Sequence, residues 1–316
     1  LRSQLAGFDA PHELGLDLDP NRLLGRLAVI IGENGTGKTR FLDAAARALC
    51  GLRADFIAAG SPSVSRVIAL SCNAFDEFLI PRTHIPDIYF YVGLRSRQGV
   101  INVSEAAAEI ESRVCRRIRP QAERHELWVE LMQVIGLDAI VELERDELRT
   151  VVGRLGAGFK FACYVLTRLV SVIEPRSFVL FDEPENHTHP RLLSMMMRAL
   201  HRALERFESF ALVATHSPLV VQEVPARQVH ILRCFEGDHP HFSTPADETF
   251  GASLGDLLRK TFLIDYDERN FDVLVRELVE RHGAAKVRAE LGDEMALSAR
   301  LLLDKLERPR TEEDES

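Results

Sequence analysis

Only five cysteines occur in the 316 residues, Cys50, Cys72, Cys115, Cys163 and Cys234, and no two form a C-x-x-C pair. That spacing argues against a zinc site and for reduced thiols in a cytoplasmic protein. No apolar run reaches the length of a bilayer span and no leader is visible, so no membrane role is expected. The start at Leu1 rather than Met suggests that a few residues precede it. Net positive charge is also missing: the formal charge is −9, which excludes a global attraction to nucleic acid but leaves room for a local basic face. Lysine is scarce beside arginine, so Lys38 and Lys160 stand out where they occur. No internal repeat is found, and no heptad run is sustained long enough for a coiled-coil arm.

What remains is an ordinary globular composition, 46% hydrophobic and 28% charged, in a chain long enough for one large domain or two modest ones. Its most informative stretch is "IGENGTGKTR", Ile31 to Arg40. The spacing G-x-x-x-x-G-K-[ST] falls on Gly32, Gly37, Lys38 and Thr39, with Gly35 as an extra glycine. The β-branched run "LAVII" precedes it and the helical pattern "RFLDAAARALCGL" follows, so the loop joins a strand to a helix, as a phosphate-binding loop must. Glycines let successive N–H groups converge on one concavity, and the helix adds its free donors and positive dipole end. Gly32, Asn34, Gly35, Thr36, Gly37, Lys38, Thr39 and Arg40 are thus candidates to surround a nucleotide's phosphates. Lys38 would supply a point charge for the outer phosphates, and the Thr39 hydroxyl suits a magnesium ion.

Two later strand ends carry matching chemistry. "FVLFDEPENHTHP" is a buried strand ending in Asp182 and Glu183. A carboxylate there can hold magnesium, and the next can polarise an attacking water. "LVATHSP" places His216 directly after another buried strand, where an imidazole can reach the terminal phosphate or the water. His187 and His189 form an H-x-H in the acid loop. Together with His216 they could make a metal cluster, but a loop facing a second subunit is the favoured reading.

Strands are also read at Ser65 to Ser71, Asp87 to Gly93 and Gln228 to Cys234, and a β-hairpin over the first twenty residues. Helices are read from Ser104 to about Gly136 with a break at Pro120, over Phe159 to Ile173, after Pro190, and from about Ser253 onward, before a charged tail. Strands alternating with helices predict an α/β fold with a mostly parallel sheet. The expected divisions are 1–101 and 151–235 as two parts of one nucleotide-binding core, 102–150 as an inserted helical lobe, 236–306 as a C-terminal helical region, and 307–316 as a tail. The arginines of "RVCRRIR" and Arg124 could form a nucleic-acid face, but a solvated helix face is favoured.

The phosphate loop, "FVLFDEPE" and "ATHSP" together resemble the ATP-binding-cassette-type ATPases. "DEPE" followed by "HP" is similar to one branch, the AAA-labelled ATPases of prokaryotic defence related to the Septu, overcoming-lysogenisation and RecF proteins. The resemblance implies ATP and magnesium as cofactors, Glu183 and His216 as catalytic residues, and Thr39 and Asp182 as metal ligands. It also implies a signature segment that contacts the nucleotide of another subunit, so that a homodimer or higher oligomer sandwiches ATP. Here that segment is "LGAGFK", Leu155 to Lys160, with Gly156 and Gly158 facing the phosphate. Gly156 replaces the family's serine and Phe159 its acidic or amide residue, while Lys160 can add charge. The family's glutamine loop is not evident after the strand near "IALS", where Ser71 and Asn73 are only candidates. These departures predict slow turnover, or ATP used as a clamp.

The function expected is a sensor or regulatory ATPase of anti-phage defence, working with a separate nuclease or toxin. A RecF- or SMC-like repair ATPase is the alternative, and a transporter subunit a weaker one. Asp265 and Asp267 are the one acidic pair that could suggest a built-in nuclease, and a helix start explains them better.

Overall fold

The computed structural model describes residues 1–3, 5–33, 35–52, 64–73, 78–80, 88–96, 99–235, 239–262, 270–291 and 295–307. Eleven strands lie within these: β1 (Arg2–Ser3), β2 (His12–Glu13), β3 (Leu27–Gly32), β4 (Val67–Ser71), β5 (Tyr89–Gly93), β6 (Arg95–Ser96), β7 (Gly99–Val100), β8 (Phe178–Asp182), β9 (Phe210–Thr215), β10 (Val229–Phe235) and β11 (His239–Ser243). The helices are α1 (Lys38–Leu49), α2 (Val103–Arg113), α3 (Ala122–Val134), α4 (Arg145–Arg154), α5 (Ala157–Val172), α6 (Pro190–Arg206), α7 (Pro218–Val221), α8 (Leu254–Asp256), α9 (Asn270–His282), α10 (Ala284–Leu291) and α11 (Leu297–Glu307).

Seven strands form the main sheet in the order β11-β10-β3-β9-β8-β4-β5. All neighbours run parallel except the edge pair of β10 and β11. Strands covered on both faces need continuous apolar runs, and β4 and β8 are buried at every position. The phosphate-loop strand β3 lies between β10 and β9, and β9 lies against β8. The register aligns Ile31 with Thr215 and Asp182 with Ala214, so the three motif-bearing strands end at one level. Ligands of open α/β sheets bind at that carboxyl edge.

The N-terminal β-hairpin pairs Arg2 with Glu13 and Ser3 with His12. Its Leu5 and Leu14 join a core that includes Ile30, Phe41, Leu42 and Leu180. Helices α2 to α4 form the lobe inserted between β7 and β8. Asn102 caps α2 by accepting from the amides of Ser104 and Glu105, and Glu105 returns the bond to the Asn102 amide. A wide π turn, Val114–Ile118, ends that helix before Pro120. Trp128 on α3 is fully buried and donates its Nε1–H to Thr167 Oγ1 on α5 at 3.0 Å, fastening the lobe to the central helix. The arginines of the lobe divide. Arg116 and Arg117 are exposed, in keeping with a solvated face. Arg113 instead donates to Ser171 Oγ, Arg119 to the carbonyls of Val141 and Leu143, and Arg124 to Val170 O and Glu174.

The chain divides into two units, Leu1–Leu257 and Leu258–Ser316. The second has a small core from Val275, Val287 and Leu303, one residue from each of α9, α10 and α11. Arg288 ties α10 to Asp304 and Glu307 of α11. Asp265, Asp267 and the tail from 308 onward lie outside the described residues. No helix among the described residues is long and apolar enough to cross a membrane.

Candidate functional site

The loop between β3 and α1 turns on glycine conformations. Gly37, the residue before α1, has φ +89°, and a Cβ there would stand 3.1 Å from the Phe8 ring and 3.3 Å from His12 Nε2. Both the backbone and the space therefore require glycine. His12 is fully buried on β2, and its Nε2 lies 3.2 Å from the Thr36 carbonyl, the acceptor of an Nε2–H. The N-terminal hairpin thus braces the loop from behind, a role for Phe8 and His12 that their sequence context did not signal. The Thr36 hydroxyl donates to Glu33 O at 2.9 Å. Lys38 folds over the loop, and its Nζ donates to Gly32 O at 2.7 Å and Glu33 O at 2.9 Å. Burial pushes its pKa below the ordinary lysine value, against the pull of Glu183, Asp182, Glu185 and Glu33. Arg40 places its guanidinium over the Phe8 ring, 6.0 Å from the centroid. Asn34 lies outside the described residues.

The acid motif meets this loop across the sheet. Thr39 Oγ1 lies 2.9 Å from Asp182 Oδ2 and 3.1 Å from Oδ1, joining residues 143 positions apart. Asp182 is fully buried at the end of β8. Its carboxylate and the Thr39 hydroxyl are hard oxygens held together, the donor type that magnesium takes, so the residues present fit that ion. Glu183 follows with φ +47°, a conformation that a non-glycine residue adopts only under constraint. Its amide donates to Ala214 O at 2.8 Å, which fixes the turn to β9. Its carboxylate accepts from Asn186 Nδ2 at 2.6 Å.

His216 leaves β9 beside both glutamates. Its Nδ1 is 3.9 Å from Glu183 Oε1 and 3.1 Å from Glu185 Oε1. The structure therefore brings together Lys38, Thr39, Asp182, Glu183 and His216, and adds Glu185 and Asn186, which the sequence reading had left without roles. "DEPEN" held both, but their partners become visible only once β9 is placed.

The signature stretch lies on the other side of the acid loop. Gly156 precedes α5 and is exposed, as is Ala157. Gly158 is packed closely, since a Cβ there would stand 3.2 Å from His187 O and 3.4 Å from Leu192 Cδ2. Lys160 turns inward and donates from Nζ to Gly153 O at 2.9 Å, so its charge is used within the chain. Phe159 remains exposed. The H-x-H divides as well: His189 caps α6, with Nδ1 accepting from the Arg191 amide at 3.3 Å. Among the described residues no group of three or more His, Cys, Asp and Glu side chains is placed to hold a metal. Ser71 ends β4 opposite Asp182 in register, and its Oγ accepts from the Asn73 amide at 3.1 Å.

Residues 139–222 match the family described as "AAA domain, putative AbiEii toxin, Type IV TA system". Protein ea59 of Escherichia phage lambda is 30% identical over 331 residues, covering 88% of this chain and 62% of that protein's length. Among solved structures, an ATP-binding cassette of an ABC transporter in its ADP conformation has a TM-score of 0.41 at 11% identity, over 76% of this chain and 86% of that one. An archaeal ribosome recycling factor, in complex with a ribosomal stalk protein, has 0.40 at 18%, over 77% of this chain and 37% of that one. These likenesses are loose and carry nothing about function. Residues 139–222 thus match an AAA domain family, in a chain whose fold is α/β with a mostly parallel seven-stranded sheet.

Proposed function

We propose that this chain binds ATP with magnesium and hydrolyses it, and that its nucleotide state controls a separate effector in anti-phage defence. The observation that carries the ATPase reading is the Thr39–Asp182 contact, beside Lys38 and with Glu183 and His216 at the same sheet edge. Gly32, Gly35, Thr36, Gly37 and Lys38 would cradle the phosphates. Thr39 and Asp182 would hold the magnesium ion, which when bound draws charge from the phosphate oxygens. Glu183 accepts the proton of the attacking water, and Asn186 holds its second oxygen so that Oε1 is left for that task. His216 steadies the water or the terminal phosphate. Lys38 exchanges its two loop carbonyls for phosphate oxygens as nucleotide enters.

The exposed start of α5 supports a two-subunit arrangement, in which Gly156 and its neighbours present backbone donors to a partner's nucleotide. The defence assignment rests on the "DEPE…HP" resemblance. It is supported by the toxin–antitoxin description of the matched family and by a relative encoded by a phage. A nuclease or toxin effector is the partner this reading calls for, in a cytoplasmic setting.

Glu183→Gln tests the core of it. The amide keeps the shape and loses the proton acceptor, so ATP should still bind while hydrolysis falls by about 100-fold or more. Light scattering of that variant with ATP should show a dimer or larger assembly. Hydrolysis at the wild-type rate would remove Glu183 as the base, and a persistent monomer would remove the sandwich.

A further inference from the structure

Glu185 is absent from every role assigned so far, yet one of its oxygens makes three close contacts at the site. Its Oε1 accepts from Thr215 Oγ1 at 2.8 Å and from the His216 amide at 2.7 Å, and it stands 3.1 Å from His216 Nδ1. One oxygen thus meets the end of β9, the backbone of the next residue and the ring of that residue. The side chain is 11% exposed, while His216 is 49% exposed. The other oxygen, Oε2, is buried and has no hydrogen-bond partner among the described residues. A buried carboxylate with an idle oxygen is an unfavourable arrangement, and it persists only where the surroundings hold it in place.

The two neighbouring acids are occupied differently. Glu183 is held through Oε2 by Asn186, and its Oε1 is 3.9 Å from His216 Nδ1, outside hydrogen-bond reach. The ring therefore stands closer to Glu185 than to Glu183, with its Nδ1 within ion-pair distance of Oε1. Without that pairing, Nδ1 has a second carboxylate nearby, and a bond to it would occupy the oxygen that must take a proton from water.

We propose that Glu185 is a positioning residue: it holds the Nδ1–H of His216, leaves Nε2 as the ring's free nitrogen, and keeps the histidine off Glu183. The assignment of its catalytic purpose rests on the ATPase reading; the pairing itself does not. A carboxylate that orients a histidine through one nitrogen fixes which nitrogen works at the other side. The adjacent Thr215 and Ser217 complete the clasp, since the Ser217 amide donates to Thr215 Oγ1 at 3.0 Å. The turn that carries His216 is thereby tied to the acid loop rather than free to swing by itself.

The test uses the full chain labelled with ¹⁵N-histidine, with His216→Gln to assign the resonances. Wild type should show His216 with hydrogen on Nδ1. Glu185→Ala should move the population toward the Nε2–H form and lower kcat by about 10–100-fold, with ATP affinity by calorimetry little changed. Glu185→Gln keeps an acceptor oxygen without the charge; it guards against a folding defect in the alanine variant and should recover the Nδ1–H signal and much of kcat. A wild-type ring protonated on Nε2 alone, or an alanine variant with unchanged ring signals, would overturn the proposal. A wild-type chain with the expected signals and no ATP hydrolysis would uphold the pairing and overturn the ATPase reading with its catalytic purpose.

Discussion

His230 offers a measurement of how tightly the strand beside the phosphate-loop strand is sealed. It lies on β10 opposite Ile30 of β3, is 7% exposed, and its Nε2 is buried without a hydrogen-bond partner among the described residues. Burial pushes its pKa down to about 4, from the ordinary histidine value near 6.5. The sign follows from which state binds the proton. Between about pH 6.5 and pH 4 the unfolded chain carries a proton on this ring and the folded chain does not, so stability falls as pH falls through that window. Above it the full stability is present, and below it both states are protonated and the loss stops. A displacement from 6.5 to about 4 corresponds to about 3 kcal/mol, a large share of the roughly 5–15 kcal/mol that holds an ordinary domain together. Urea unfolding of wild type and His230→Leu at pH 7 and pH 4.5 isolates the effect, because the other titrating groups are common to both. His201, also lowered by burial, cancels in this difference. The variant should lose about 2–3 kcal/mol less than wild type between the two pH values. Equal losses would refute the claim that the folded state keeps His230 uncharged.

Two further outcomes address the loop and the lobe. Lys38→Ala removes a buried ammonium poised over two carbonyls, and should weaken ATP binding by about 10–100-fold in calorimetry; unchanged affinity would rule out this loop as the phosphate site. Trp128→Ala empties the contact between α3 and α5 and should cost about 3–5 kcal/mol in chemical denaturation, whereas a loss under 1 kcal/mol would show that the lobe is not anchored there.

The site was legible where its chemistry is local. "GENGTGKT", "FVLFDEPE" and "ATHSP" each combine a buried strand with polar residues at its end, so each could be read alone, and parallel pairing then brings their ends together. The central strands were legible for the same reason, as uninterrupted apolar runs. The edge strand β11 was not, because "HPHFS" carries histidine and proline in place of such a run and depends on β10 for its pairing. Helix α4 begins inside the expected helical lobe, 102–150, but runs past its end and carries too weak a pattern to be read as a separate helix, since only its Leu148 and Val152 are buried. The arginines of the lobe were read as a solvated face; the structure gives several of them inward partners on α5 and its following turn, which no spacing within "RVCRRIR" could reveal.

The acid loop shows how a single short segment can serve several partners at once. Within five residues Asp182 meets Thr39 of the phosphate loop, Glu183 meets Ala214, Glu185 meets Thr215 and His216, and Asn186 returns to Glu183. The next residue, His187, presents its carbonyl to Gly158 at the start of α5. Asp182 is therefore linked through this one loop to His216 on one side and to the start of α5 on the other. Glu183 and His187 both hold positive φ, so the segment between them is bounded by two uncommon backbone conformations. The segment thus joins two non-covalent contacts, Thr39 with Asp182 at one end and His187 O with Gly158 at the other, through the continuous backbone of residues 182–187.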